Sequence, residues 1–256
     1  MNIHVLGAHN CESESSRFVC LLVDDILAID AGTLTSKLSF EAQQKLKAIL
    51  LTHHHYDHIR DVPAIAINHL YHHSTVEVFS TISVRDYLTT HILNDRLYPN
   101  FLELPETAPI VKFTVIEPFK QKQIEDYKVL ALPVNHNSVT VGYQVTSTDG
   151  KSVFYTADTG PGLDACWEHI SPQLLIIDVT MPNSHQEFAI QSQHLTPALL
   201  NNELIKFREE KDYLPQVVVI HMNPAEEDKI YTEIAAVAKE LNTSITLAYE
   251  GLQLHL

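Results

Sequence analysis

Short apolar runs of β type alternate with helical patterns along most of the chain. Runs rich in Val, Ile, Phe and Tyr predict strands at Phe18–Val23, Ile26–Ile29, Ala48–Leu51, Val76–Phe79, Val111–Ile116, Val129–Pro133, Val139–Val145, Val153–Thr156, Leu174–Val179, Val217–Ile220 and Ser244–Leu247. These residue types suit a pleated, half-buried surface. Met1–Leu6 reads as a first strand, because it lacks the basic start and long apolar stretch of a secretion signal. Helix starts are marked by local chemistry. Thr196-Pro197 offers a capping hydroxyl and a first-turn proline ahead of Leu199, Leu200, Leu204 and Phe207. Asn223-Pro224 offers a second start, with Glu226 in the first turn and Ile230, Ile234, Val237 and Leu241 at helical spacing. Alternating strands and helices predict a layered α/β domain, and the strands exceed what one ordinary sheet holds. Two sheets packed together and flanked by helices are therefore expected. No tandem repeat or Gly/Ser linker divides the chain, so residues 1–256 read as a single domain. Within it, 82–109 starts as a helix and becomes a Pro-punctuated excursion, suited to capping a site or making a homodimer contact.

Composition narrows the class. A hydrophobic fraction of 45% with 19% charged residues describes a globular chain with a sizeable core. No apolar run approaches the ~20 residues that span a bilayer, so no membrane segment is expected. Cys11, Cys20 and Cys166 are odd in number and widely spaced, without a CxxC pair, which argues against a disulfide framework and for the cytoplasm. A formal charge of −15 disfavours nucleic acid as a partner, since that affinity rests on Lys and Arg neutralising phosphates.

The candidate chemistry begins at Leu50-Leu51-Thr52-His53-His54-His55-Tyr56-Asp57-His58, where metal-capable side chains follow an apolar strand. His53 and His55 share one side of an extended segment, whereas Asp57 and His58 fall where the chain turns toward a helix. One tetrahedral site cannot easily use all four, but two adjacent sites can. Further ligands should also follow strands. His136 comes after Val129–Val134, Asp158 after Val153–Thr156, and His221 after Gln216–Ile220. By contrast, His72-His73 reads as a surface pair without function.

Taken in this order, the residues resemble the metallo-β-lactamase superfamily along essentially the whole chain, from Val5-Leu6-Gly7 and Asp30-Ala31-Gly32 to His221. The resemblance implies a four-layer αββα sandwich and a binuclear metal centre. It assigns His53, His55 and His136 to one metal, Asp57, His58 and His221 to the other, and Asp158 to a bridging carboxylate. Asp30 would support the site by hydrogen bonding. The N and O ligand set fits two divalent ions, Zn²⁺ foremost, with Mn²⁺ or Fe as alternatives. Gln193-His194-Leu195-Thr196-Pro197 resembles the His-Leu-Thr-Pro segment of class II cyclic-nucleotide phosphodiesterases, and in position the His-Ser-Thr segment of ribonuclease Z. There the extra histidine protonates the leaving oxygen, which makes His194, with Asp57, a catalytic candidate. The chain departs from the class II pattern at Tyr56, Asp61 and Gln193, where Leu, Gly or Ser, and Gly are usual. His54, Arg60, Asp178 and Asn183 lie near the motifs without an assigned catalytic role.

The function expected is hydrolysis of a small-molecule phosphodiester, with a cyclic nucleotide favoured. A ribonuclease Z-like endonuclease, a lactone or thioester hydrolase, and a non-hydrolytic di-iron oxygen-binding protein are the competing readings. No Gly/Pro-rich tRNA-gripping arm is visible in the sequence.

Overall fold

A computed structural model of the chain describes residues 1–256. In chain order the strands are β1 Asn2–Gly7, β2 Cys20–Val23, β3 Leu27–Ile29, β4 Ala48–Leu50, β5 Val76–Ser80, β6 Val111–Val115 and β7 Gln121–Ile124. They continue as β8 Tyr127–Pro133, β9 Val141–Thr146, β10 Ser152–Tyr155, β11 Leu174–Asp178, β12 Gln216–Ile220, β13 Ile245–Leu247 and β14 Gln253–His255. The helices are α1 Leu34–Lys37, α2 Phe40–Lys45, α3 Tyr56–Ile59, α4 Val62–Tyr71, α5 Ile82–Tyr87, α6 Asp164–His169, α7 Gln186–Ser192, α8 Pro197–Lys211 and α9 Glu227–Leu241.

The chain forms two compact units. The first comprises Met1–Gly7, Arg17–Glu117 and Glu250–His255, and the second Ala8–Ser16, Pro118–Tyr249 and Leu256. Each contains one seven-stranded sheet, ordered β14-β1-β2-β3-β4-β5-β6 in the first unit and β13-β12-β11-β10-β9-β8-β7 in the second. Both sheets are mixed in the same way. From β14 through β1 and β2 to β3 the pairing is antiparallel, and from β3 to β6 it is parallel. In the second sheet β7 to β10 pair antiparallel and β10 to β13 parallel. Strands β3, β4, β10 and β11 are buried at every residue, which explains their mostly apolar sequences, broken only by Ser152 at the start of β10 and Asp178 at the end of β11. Two mixed sheets with helices give the α/β class that the periodicity predicts.

Each unit has its own core. In the first, Leu34, Leu46, Val62, Ile65 and Ala66 pack with Ile49 and Val78. In the second, the fully buried Trp167 meets Phe154 and Phe207 edge-on at ring distances of 6.2 and 5.1 Å. Leu204, Ile230 and Ile234 complete that cluster.

Helix α8 starts as expected, with the Thr196 hydroxyl accepting from Leu199 N and Pro197 in the first turn. Helix α9 does not. Asn223 Oδ1 accepts from Ala225 N at 3.0 Å and its carbonyl from Glu226 N at 3.0 Å, closing a turn before the helix begins at Glu227. An Asn-Pro pair serves such turns as readily as it serves caps. Strands β7 and β14 were not expected either. They are edge strands, mostly exposed and polar, so they carry little hydrophobic signal. Segment 82–109 opens as α5, widens into a π-helical turn at Leu88–Ile92, and reaches β6 without a further helix. His72 and His73 are exposed, as expected.

Candidate metal centre

In the first unit the loops after β3 and β4 build the cluster of candidate ligands together. Asp30 stands just past β3 in the left-handed region, at φ 60°. Its backbone N–H donates to the Leu50 carbonyl at the end of β4. The fully buried carboxylate accepts from Thr52 N at 2.9 Å, from the Thr52 hydroxyl at 3.0 Å and from His58 Nδ1 at 2.7 Å. A buried charge requires such a set of donors. The hydroxyl proton of Thr52 points at Asp30, so Thr52 Oγ1 accepts from His53 Nδ1 at 3.0 Å. Both histidines thus carry their proton on Nδ1 and present the Nε2 lone pair, the form that a metal ligand needs. The His53 ring lies 4.5 Å from that of His55 and 4.2 Å from that of His58. Asp57 Oδ2 is 3.4 Å from His58 Nε2. The loop is clamped by Ala31 N donating to the His58 carbonyl (2.7 Å) and Asp61 N to the Ala31 carbonyl (2.9 Å).

Asp61 accepts from Thr35 N, the Thr35 hydroxyl and Arg60 Nε, at 2.7, 2.8 and 3.1 Å. The carboxylate therefore braces α1 against the ligand loop at this position of departure. Arg60 also lies over the Phe18 ring at 5.1 Å, a structural placement.

The second unit repeats this logic with different residues. His136 follows β8, and its Nδ1 donates to the Gln193 carbonyl at 3.2 Å, which leaves Nε2 as the lone-pair atom. Burial holds the His136 pKa below its usual value against the opposing pull of Asp158, favouring neutral imidazole. Asp158 follows β10, one residue after Ala157 at φ 59°. Its Oδ2 lies 3.8 Å from His136 Nε2 and its Oδ1 3.4 Å from His221 Nε2. His221, just past β12, has φ 66° and donates its backbone N–H to Ala8. The Thr180 hydroxyl donates to Asp178 Oδ1 at 2.6 Å and accepts from His221 Nδ1 at 2.9 Å. This is the Asp30–Thr52–His53 arrangement again, here past β11 and β12, one strand further from the antiparallel half of the sheet.

His194 sits between α7 and α8. Its Nδ1 is 2.8 Å from Asp178 Oδ2 and 3.1 Å from Thr180 Oγ1. Its ring is stacked on that of His221 at 5.4 Å and lies 5.1 Å from that of His136. Asp178, His194 and His221 form a third close group, but their facing nitrogens and oxygens are already joined through Thr180. Gln193 has φ 58°, which explains why glycine is usual there and places the departure on the backbone. Asn183 Oδ1 accepts from Ala198 N in the first turn of α8 at 2.8 Å, a helix-start role.

The first unit thus gathers His53, His55, Asp57 and His58, and the second gathers His136, Asp158, His221 and His194. Sequence reading left Asp178 without a role and missed the two threonines. Asp178 had a visible signal, an acid ending the apolar run Leu174-Leu175-Ile176-Ile177. Thr52 and Thr180 had none, being ordinary β-branched residues beside strands.

A family model described as the beta-lactamase superfamily domain matches residues 24–242. The chain belongs to the metallo-β-lactamase superfamily. Among solved structures of this fold, unliganded yeast PDE1 has a TM-score of 0.84 at 18% identity, covering 100% of this chain and 99% of that one. A diphosphatase of the PhnP family has a TM-score of 0.70 at 18% identity, covering 100% and 97%. The short form of human tRNase Z has a TM-score of 0.69 at 16% identity, covering 100% and 99%. No curated protein matches the chain in sequence. The candidate ligands stand just past strand ends, where open α/β sheets bind ligands. Imidazole nitrogens and carboxylate oxygens without a thiolate suit a divalent cation, because Cys20 and Cys166 are buried and bonded to the Asp30 and Pro133 carbonyls. No helix of this superfamily member is long and apolar enough to cross a membrane.

Proposed function

We propose that the two histidine–carboxylate clusters together hold two divalent cations, Zn²⁺ first among them, and that the protein hydrolyses a small phosphodiester, a cyclic nucleotide in particular. The donor set supports this reading: the first unit gathers His53, His55, Asp57 and His58, and the second His136, Asp158 and His221. Bound cations of this kind lower the pKa of water toward neutrality and offset charge on phosphoryl oxygens.

The observation that carries the choice of reaction is His194. Asp178 accepts from its Nδ1 at 2.8 Å, so Nε2 is the nitrogen that can take up and release a proton. The buried carboxylate steadies the imidazolium while that proton is held. Hydrolysis of a diester needs a proton at the departing alkoxide, and an imidazole whose Nδ1 is held by a carboxylate can deliver it from Nε2. Similarity to yeast PDE1 and a PhnP-family diphosphatase supports a phosphorus ester as substrate. The charge of −15 favours a small ester over RNA, despite the likeness to tRNase Z. Three free cysteines fit work in the cytoplasm.

Metal-loaded protein is expected to hydrolyse bis(p-nitrophenyl) phosphate and at least one 3′,5′-cyclic nucleotide. His194→Ala should lower kcat by about 10²–10⁴ with unchanged metal content. Turnover of a lactone, a thioester or precursor tRNA in place of the diesters would overturn the reading. So would a stable iron-loaded protein without esterase activity.

A further inference from the structure

The first unit has a cleft of about 370 Å³ beside the ligand loop, between α3 and the 82–109 segment. Tyr56, Pro63, Tyr87, His91, Leu97 and Tyr98 line it. Tyr56 lies between His55 and Asp57 in sequence, so the cleft opens one peptide unit from candidate ligands on either side. Its side chain is 66% exposed, as is Leu97 at 65%. An exposed tyrosine and leucine facing one hollow are an unusual use of apolar surface. Tyr87 stacks on His54 at 4.5 Å with a 23° interplanar angle, and the π-helical turn brings the His91 ring to 4.6 Å from Tyr87. Turns of this kind concentrate at functional sites. No carboxylate lines the cleft, and its one charged residue, Arg60, is engaged by Asp61 and Phe18.

A slot with aromatic walls, no acid and a volume at the small end of ligand sites suits a flat ring system. We propose that this cleft receives the heteroaromatic base of the substrate, with Tyr56 and Tyr87 as stacking surfaces. The inference rests on the phosphodiesterase reading for its substrate, but the cleft belongs to the first unit alone. It also gives the departure at Tyr56 a purpose, because a larger flat side chain at that position widens the stacking surface.

Two measurements test it. In metal-loaded protein with ¹³C-labelled tyrosine, adenosine 5′-monophosphate should shift the ring resonances of Tyr56, Tyr87 and Tyr98, and ribose 5-phosphate should not. Tyr87→Leu and Tyr56→Ala should each raise KM for the cyclic nucleotide about tenfold, within the range expected for loss of one stacking surface, with a much smaller change in kcat. Phe188→Ala, an exposed aromatic in the second unit, serves as the control and should leave KM unaltered. Ring signals indifferent to millimolar nucleotide would overturn the inference whether or not any diester is cleaved. Signals that respond to protein concentration alone would assign the cleft to a second copy of the chain, and overturn it too. Nucleotide-dependent shifts in a protein without diesterase activity would sink the proposed reaction and leave the cleft standing.

Discussion

A threonine hydroxyl decides the tautomer of a histidine in each unit. Thr52 and Thr180 direct their single proton at a buried carboxylate, Asp30 and Asp178, and can only accept from the neighbouring imidazole. Thr180→Val keeps the shape and removes this constraint. Outer-shell losses of this type lower metal affinity by roughly 10–100-fold. A competitive chelator titration should show that loss, and Thr180→Ser should recover most of it. Equal affinity in the Val variant would refute the role. The cysteines make a second residue-scale prediction. Burial pushes the Cys166 thiol up to about 12 and raises Cys20 well above its ordinary value, while Cys11 is exposed. Only thiolates react, so native protein at pH 8 should take up one equivalent of a thiol reagent, at Cys11, and three after denaturation. Fast labelling of Cys166 in the folded protein would contradict its burial. At this scale the ligand loop was legible because His-x-His-x-Asp-His after an apolar strand has few other meanings. The threonines were not, since their role depends on where a hydroxyl proton points.

Elements hold these residues through tight backbone approaches. Gly32 is the clearest instance: a Cβ there would overlap the Asp57 and Val19 carbonyl oxygens and the Phe18 side chain. Gly32→Ala should therefore displace the ligand loop and destabilise the protein by about 3 kcal/mol, roughly 6–12 °C in melting temperature. Calorimetry of the variant within 2 °C of the parent would show that the loop yields more easily than its packing suggests. The strands were readable because β3, β4, β10 and β11 are buried throughout and their sequences are mostly apolar. Edge strands β7 and β14 escaped notice because pairing with one neighbour, not burial, holds them in place. The start of α9 was misplaced because Asn223 uses its side chain in a turn of its own.

The two sheets share one plan, antiparallel on one side of β3 or β10 and parallel on the other, with the proposed ligands just past strand ends. The proposed cations would add binding energy to the folded state alone. With metal at about a hundred times its dissociation constant, binding adds about 2.7 kcal/mol, so chelation should lower the melting temperature by roughly 5–10 °C and added Zn²⁺ should restore it. Identical melting curves before and after chelation would remove the metals from the stability of the fold. The overall class was accessible from the alternation of strands and helices. The matching halves were not, because the two sheets share no repeated sequence that marks them.

Asp30 aims two imidazoles at once, His58 directly and His53 through Thr52, whereas Asp178 aims, among the proposed ligands, His221 through Thr180. In the proposed centre His53 and His58 serve different ions, so injury to Asp30 should loosen both, while injury to Asp178 should weaken the hold on one. Descent toward a mono-metallic enzyme then runs through the second carboxylate and not the first.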